Sequence, residues 1–325
     1  MPGTLTLTDK LTALERLNRD QQNPDARRII ESLAATNEIL LDAPSMEAND
    51  RTVNTSVIRT ALPHGTHRVY NQGVKTAASQ TRVNHDVVCQ LAGYSNVDQK
   101  LVDEAANPQE FLQSEVSAFL EGMGQDQAED IVYGNHAADK AYMDGFAVRR
   151  PKIDGKYCID MGGTTSGSLT SVYICKWARD KMHLIYPKGA AGMGVERIDK
   201  GKQTVRAPDG NGDMEAYVNY FTASYGLAVR NEKAFVRLAN IKPGTTQATD
   251  IIKAILQASH RLAVGDGTIA IYANSDVLSL MDVATVEKNN VCYTAEDPWG
   301  RELIKIRTMR LRQVDAILST EDKIA

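Results

Sequence analysis

Five groups of residues have the types and spacing to do chemistry, and each carries a test within the sequence. Gly189, Gly192 and Gly194, flanked by Pro187, Lys188 and Lys200 in "LIYPKGAAGMGVERIDKG", could cradle a phosphate. A dinucleotide loop, however, needs a strand before its glycines and a helix after them, and a Walker loop ends in Gly-Lys-Ser/Thr. Here "VERIDKGKQTV" follows, which reads as strand and turn, so no nucleotide is expected at this loop. Asp209, Asn211 and Asp213 in "PDGNGDM" start like a calcium loop, but Met214 stands where a glycine is needed and Tyr220 where a bidentate glutamate should be. His64 and His67 straddle a turn without partners for a metal. Cys89, Cys158, Cys175 and Cys292 are far apart, with no CxxC pair, and read as buried reduced thiols.

The sharpest catalytic candidate is Asp160-Met161-Gly162-Gly163-Thr164, between two β-like runs. It resembles the first phosphate loop of the actin and sugar-kinase superfamily, which implies a phosphotransferase in which Asp160 orients magnesium and the Gly162-Gly163 backbone surrounds phosphates. That superfamily also carries a second Asp-Gly loop and an adenosine motif. "GDGT" at Gly265 to Thr268 stands poorly for the first, and the second is missing. A β-turn whose glycines supply positive φ accounts for the same letters and is the expectation here. The six histidines are scattered and none lies in a nucleophile motif. No catalytic residue, cofactor or metal is therefore assigned.

The elements that would hold such residues follow from periodicity. Leu11, Leu14 and Leu17, then Ile29, Ile30, Leu33, Leu40 and Leu41 after Asn23-Pro24, mark two short amphipathic helices whose small apolar stripes need another surface. From Asn49 to Val83 the texture is β-branched and polar. Runs Val53 to Leu62 and His67 to Val74, broken at Pro63-His64-Gly65, read as a long hairpin without a core of its own. Asn107, Pro108 and Glu110 form an N-cap, a first-turn proline and a capping box. They open a helix whose stripe is Phe111, Leu112, Val116, Phe119, Leu120 and Met123 and which extends to about Tyr133. Glu129 and Asp130 read as ordinary helix-face charges.

"LTSVYICKWA" is strongly β-like. Tyr217, Asn219, Phe221, Ala223, Tyr225, Leu227 and Val229 alternate along one strand, and a turn at Arg230 to Lys233 leads to a second run, so Glu215 to Ile241 reads as a long antiparallel pair. A helix with Ile251, Ile252, Ile255, Leu256 and Leu262 follows Pro243-Gly244. The strand "TIAIYA", the helix "SDVLSLMDVA" and the strand-like "ELIKIRTMRLRQVDAIL" complete an α+β order. At 325 residues the chain can bury about three quarters of its unfolded surface. Its 37 basic and 41 acidic side chains leave a net charge of −4, with no basic block suited to sequence-specific nucleic-acid binding. The N-terminus lacks the apolar stretch of a signal peptide and no run reaches the length of a membrane span, so a soluble, unexported protein with no membrane partner is expected.

This layout, with three segments, resembles the major capsid proteins of tailed bacteriophages with the HK97-type fold. "LIYPKGAAGMGVERIDKGKQTV" is similar to the Tyr-Pro-Lys-Gly turn of podovirus-type coat proteins, "YFTASYGLAVRNEKAFVRLANI" to their GLAV…R…ANI strands, and "MRLRQVDAIL" to their C-terminal strand. The resemblance implies an N-terminal arm over 1–47, an extended E-loop and its flanks over 48–95, and a peripheral-domain spine helix within 96–136. Part of an axial domain over 137–214, peripheral long strands over 215–245 and the axial remainder over 246–325 follow. It further implies hexamers and pentamers in an icosahedral shell in the virion, assembled in the host cytoplasm. A separate scaffolding protein, a portal protein and, in some shells, a decoration protein are implied partners. Double-stranded DNA would be enclosed without sequence-specific binding. The E-loop tip, Pro63, His64, Gly65, Thr66, His67 and Arg68, is the implied contact between subunits, and Lys75 is the hairpin's lone lysine. An encapsulin-type compartment shell is the nearest alternative container.

Overall fold

Eight successive residues, Thr170–Trp177, form a strand that is buried along its whole length, the signature of a central strand covered on both faces. The computed structural model describes residues 37–190, 195–207, 210–287, 293–295, 304–306 and 309–325. In chain order the elements are α1 (Ile39–Asp42), β1 (Ser45–Glu47), β2 (Val53–Ala61), β3 (Gln80–Asp98), α2 (Gln99–Asp103), α3 (Pro108–Tyr133), α4 (Phe146–Arg149) and β4 (Cys158–Asp160). There follow β5 (Thr170–Trp177), β6 (Met182–Tyr186), β7 (Val195–Arg206), β8 (Asp213–Val229), β9 (Phe235–Ile241), α5 (Ala248–Ser259), β10 (Thr268–Ala273), α6 (Ser275–Glu287), β11 (Tyr293–Ala295), β12 (Ile304–Ile306) and β13 (Met309–Gln313). The strands fall into a sheet ordered β1-β6-β8-β3-β2, with β7 also on β8, and a seven-stranded sheet ordered β11-β12-β13-β10-β5-β9-β4.

The chain divides into two compact units. The larger comprises Thr36–Cys89, Ala128–Met193 and Ser224–Ala325. Its core is the seven-stranded sheet covered by α5 and α6: Val172, Ile174, Val236, Leu238 and Ile271 meet Ile251, Ile255, Val277 and Met281. Helix α5 turns its isoleucines inward and leaves Asp250 and Lys253 as an exposed i,i+3 pair. Asn274 caps α6 by accepting from Val277 N at 3.1 Å.

The smaller unit contains Gln90–Gln127 and Gly194–Ala223. In it β7 pairs with β8 over Val195↔Ala223 to Arg206↔Asp213, with a bulge between Asp199 and Lys202. Helix α3 lies on one face of these strands. Phe119 stacks on Phe221 with ring centroids 4.5 Å apart, and Gly93 makes room for the same ring, since a Cβ there would stand 2.5 Å from Phe119 Cζ. The capping box forms as read: Asn107 Nδ2 donates to Glu110 Oε2 at 3.2 Å, and Glu110 N to Asn107 Oδ1 at 3.4 Å.

Three expectations need correction. The second hairpin strand is not His67 to Val74: residues 62–79 form no strand, and β2 pairs instead with β3, Val53↔Val87 through Ala61↔Gln80. Glu215 to Ile241 is not an antiparallel pair. β8 and β9 enter different sheets, because Arg230 N and Asn231 N both bond Lys181 O and Asn231 caps a 3₁₀ turn at Glu232–Ala234 that turns the chain away. The alternation along β8 slips at Val218-Asn219, both buried, so that Tyr217 is half-exposed while Phe221, Ala223 and Tyr225 face inward. Residues 37–47, assigned to the arm, pack on the larger unit. Ile39 is buried, β1 pairs in parallel with β6, and Asp42 receives Arg310 and both Arg312 nitrogens Nε and Nη2. The rest of the arm, residues 1–36, lies outside the described residues.

Candidate functional site

The Asp160 loop is built to hold backbone, not phosphate. Asp160 Oδ1 accepts from Gly162 N and from Asn240 Nδ2, both at 2.9 Å, which uses the carboxylate in a turn. Gly162 has φ +83°, and a Cβ on Gly163 would lie 2.4 Å from Asn240 O and 2.6 Å from Leu169 Cδ2. The glycines therefore answer to turn conformation and close approach. What the loop grips is the chain's C-terminal segment. Asn240 bonds Ile324 through both side-chain atoms, Ser166 Oγ donates to Asp322 at 2.6 Å, and Gly167 N donates to Glu321 O. Gly163→Ala is expected to cost about 1–3 kcal/mol by overpacking, read as a shift in urea midpoint; an unchanged midpoint would show that the approach relaxes freely.

The other candidates are no closer to chemistry. Gly189 N donates to the Glu47 carboxylate at 2.8 Å, an acceptor that would repel a phosphate; Gly192 and Gly194 lie outside the described residues. Asn211 and Asp213 flank a turn closed by Ala207 N to Gly212 O, and Asp209 lies outside the described residues. Among the described residues no group of three or more His, Cys, Asp or Glu could hold a metal, and no helix is long and apolar enough to cross a membrane. Cys89, Cys158 and Cys175 are buried and free, and burial pushes the Cys89 thiol up to about 11; Cys292 lies outside the described residues.

Two buried charge networks, which the sequence reading missed, hold the larger unit. In the first, Arg237 from β9 meets Glu321 at 3.0 Å, and Ser171 accepts from Arg237 Nε at 3.0 Å while donating to Glu321. Tyr133 donates to the other Glu321 oxygen at 2.6 Å and accepts from Leu318 N. Burial works against the Arg237 charge, but Tyr173 and Glu321 outweigh it and hold its pKa above the ordinary value. Tyr133 is pushed up as well, by burial and then by Glu321. In the second network Asp86, on β3, pairs with Arg149 at 2.8 Å and accepts from Asn84 Nδ2 and Val229 N. Burial raises its pKa despite the guanidinium. Asp130, read as an ordinary surface charge, accepts from Tyr225 Oη at 2.5 Å.

Asp86 and Arg149 fix the base of a hairpin whose far end is bare. Arg82 adds an exposed bridge to Glu232 at 2.9 Å. Beyond it, residues 62–79 are exposed throughout, Pro63, His64, Gly65, Thr66, His67, Arg68 and Lys75 included. Their local order is one turn, in which Gln72 N donates to Val69 O and Arg68 Nη1 to Gln72 O. Val57, Leu62, Val69, Val74 and Val83 are more than half exposed and Tyr70 is 93% exposed. A single large apolar side chain in water is unremarkable, but six on one coreless hairpin form a surface suited to contact with another molecule.

Comparison with known proteins places these features. The family described as Major capsid protein GP7 matches residues 21–325. Among solved structures, a chain of bacteriophage Epsilon15 is similar with 27% identity and a TM-score of 0.76, covering 99% of each chain. The capsid of bacteriophage JBD30 aligns with 12% identity and a TM-score of 0.48, covering 88% of this chain and 93% of that one. No curated protein matches.

Proposed function

The chain belongs to the major capsid protein GP7 family and forms a phage capsid shell, and from that premise we propose that its hairpin is the element that joins one subunit to the next. The chain is a structural component of the virion, with the mixed α+β, HK97-like fold of phage capsids, and not an enzyme. In the finer reading, β2, β3 and the intervening loop are the E-loop, with Pro63 to Arg68 as its contact tip. Helix α3 is the spine of a peripheral domain that also takes the strands of 215–245, and 137–214 with 246–325 form the axial domain. Residues 1–47, of which 1–36 lie outside the described residues, are the arm in this reading. Hexamers and pentamers, a scaffolding protein, a portal, a decoration protein and double-stranded DNA held without sequence readout complete this reading.

The observation that carries it is the contrast between the hairpin's two ends. A buried ion pair fixes the base, while the tip leaves apolar side chains and unpaired backbone in water, an arrangement completed only by a neighbour. Deleting residues 60–70 is expected to leave a subunit with native circular dichroism that forms no particles under the electron microscope. Normal particles from that deletion would refute the contact role.

A further inference from the structure

Strand β9 departs from regular pairing at one place. Against β5, Thr170 pairs with Ile241 but Val172 with Leu238, so Ala239 and Asn240 together stand opposite Ser171 in a bulge. Asn240 is also buried with φ +58°, a conformation that costs a non-glycine residue free energy. A bulge with a left-handed residue re-aims a side chain, and the one re-aimed here is an amide that grips main chain. Asn240 Oδ1 accepts from Ile324 N at 2.9 Å, and Asn240 Nδ2 donates to Ile324 O at 3.0 Å.

The neighbouring groups continue that grip. Glu321 N donates to Leu169 O and Gly167 N to Glu321 O, which adds residue 321 to the 167–169 segment as a strand is added to a sheet edge. Ser166 Oγ donates to Asp322 and accepts from Lys323 N, and Ile153 N holds Ala325 O. Arg237, Ser171 and Tyr133 enclose the Glu321 carboxylate. Glu321 is buried and Ile324 half-buried, whereas Asp322, Lys323 and Ala325 are exposed, as are Leu318, Ser319 and Thr320 leading in. Bonds to main chain along the segment, with one charged pocket that reads one side chain, are the means by which a groove recognises a peptide.

We infer that the groove between the Asp160 loop and β9 is a binding site for an acidic peptide segment, with Glu321 as the side chain it selects, and that residues 321–325 are an exchangeable occupant of it. The strained Asn240 backbone is the mark of a built site: a plain strand would need neither the bulge nor the positive φ, and both serve to present the amide. The segment is held by polar bonds with little apolar surface, so its release exposes little and belongs to the low-cost end of local opening. Release also opens the pocket, and Arg237 then meets water in place of the carboxylate. The same segment is carried by every copy of the chain, so its own chain and a second copy are two sources of one chemistry.

The test cuts the segment free after folding. A protease recognition sequence inserted between Ser319 and Thr320, in the exposed lead-in, lets the folded, unassembled subunit be cleaved without touching the groove. The fragment is expected to stay with the protein through gel filtration and to be replaced by a fluorescent peptide of residues 320–325, followed by anisotropy. A peptide carrying Glu321→Gln is expected to bind about tenfold more weakly. Asn240→Gly keeps the left-handed backbone and removes the amide, so it is expected to speed release of the peptide severalfold in a subunit with native circular dichroism. Loss of native circular dichroism on cleavage overturns the inference, because the segment would then be part of the fold. So does a folded, cleaved subunit that neither keeps its fragment nor binds the peptide, and so does one that holds its fragment for days without exchange. If the insertion disturbs folding, the natural chain with excess fluorescent peptide serves: saturable uptake is expected, and no uptake overturns the inference. Mixing fragment-free subunits with intact chains separates the two sources. A mixed species on gel filtration assigns the segment to a second copy, and peptide binding without a mixed species assigns it to the same chain.

Discussion

Glu321→Ala is expected to destabilise the unassembled subunit by about 3–5 kcal/mol, the cost of leaving a buried charge without its partner. The Glu321 side chain is 7% exposed and the Arg237 side chain 5%. Removing the carboxylate leaves the Arg237 guanidinium in a low-dielectric interior with the Tyr173 ring, Ser171 and two main-chain carbonyls, Ala147 O at 3.4 Å and Arg150 O at 3.2 Å, and no counter-charge at hydrogen-bonding distance. It also strips Tyr133 of its acceptor. Since single domains hold only about 5–15 kcal/mol, such a loss is a large share of the total. Glu321→Gln keeps the shape and an acceptor for Tyr133 and is expected to fall between wild type and alanine. The pair Arg237→Met with Glu321→Met is expected to recover most of the loss, because buried pairs stabilise little relative to apolar replacements. Urea unfolding reads all three. A Glu321→Ala cost below about 1 kcal/mol would mean that water reaches Arg237 and that the network is not closed.

The location of Glu321 gives this loss a second readout. Residues 318–325 have little apolar anchorage of their own, although Ile317 before them is buried. They are held by Glu321, by Asp322 on Ser166, by Ile324 on Asn240 and by Ala325 O accepting from Ile153 N. Loosening the first contact is expected to expose the segment to limited proteolysis before the rest of the subunit unfolds.

What could be read from the sequence divides by the range of the interaction that decides it. Helix α3 was legible because its signals lie within four residues of one another: Asn107 caps it, Pro108 opens it and Glu110 closes the box, and Gly122 and Gly124 do not interrupt it. β5, β10 and α5 were legible because an unbroken apolar run or a 3.6-residue stripe is itself the cause of burial. The Asp160 loop was read as a turn, and its side-chain acceptor and positive-φ glycine make it one. The separation of β8 from β9 was not legible. Two strand-like runs joined by a polar turn also describe a hairpin, and what divides them is Lys181 O, about fifty residues upstream, holding Arg230 and Asn231. Arg237 and Glu321, 84 residues apart, leave no local trace that pairs them.

Acid is expected to weaken the subunit through His183, and a leucine there to remove most of that sensitivity. His183 sits on β6 opposite Ala228, fully buried, with neither ring nitrogen hydrogen-bonded. Burial first, and the charges of Arg230 and Arg179 second, lower its pKa to about 4 from the ordinary 6.5. The unfolded chain therefore binds a proton that the folded one refuses. This contribution to stability is complete above pH 6.5 and is lost as pH falls toward 4, up to about 3 kcal/mol at 1.36 kcal/mol per pH unit. Asp86 acts the opposite way. Its pKa is raised in the folded state, so falling pH relieves a buried charge, and the raw pH profile mixes the two. The difference between wild type and His183→Leu isolates the histidine, because Asp86 is common to both. At pH 7 the leucine is expected to be neutral or slightly stabilising, since it replaces two unpartnered nitrogens with apolar surface. At pH 4.5 it is expected to exceed wild type by about 2–3 kcal/mol in urea unfolding. Parallel profiles from pH 7 to 4.5 would show that His183 finds a partner when protonated.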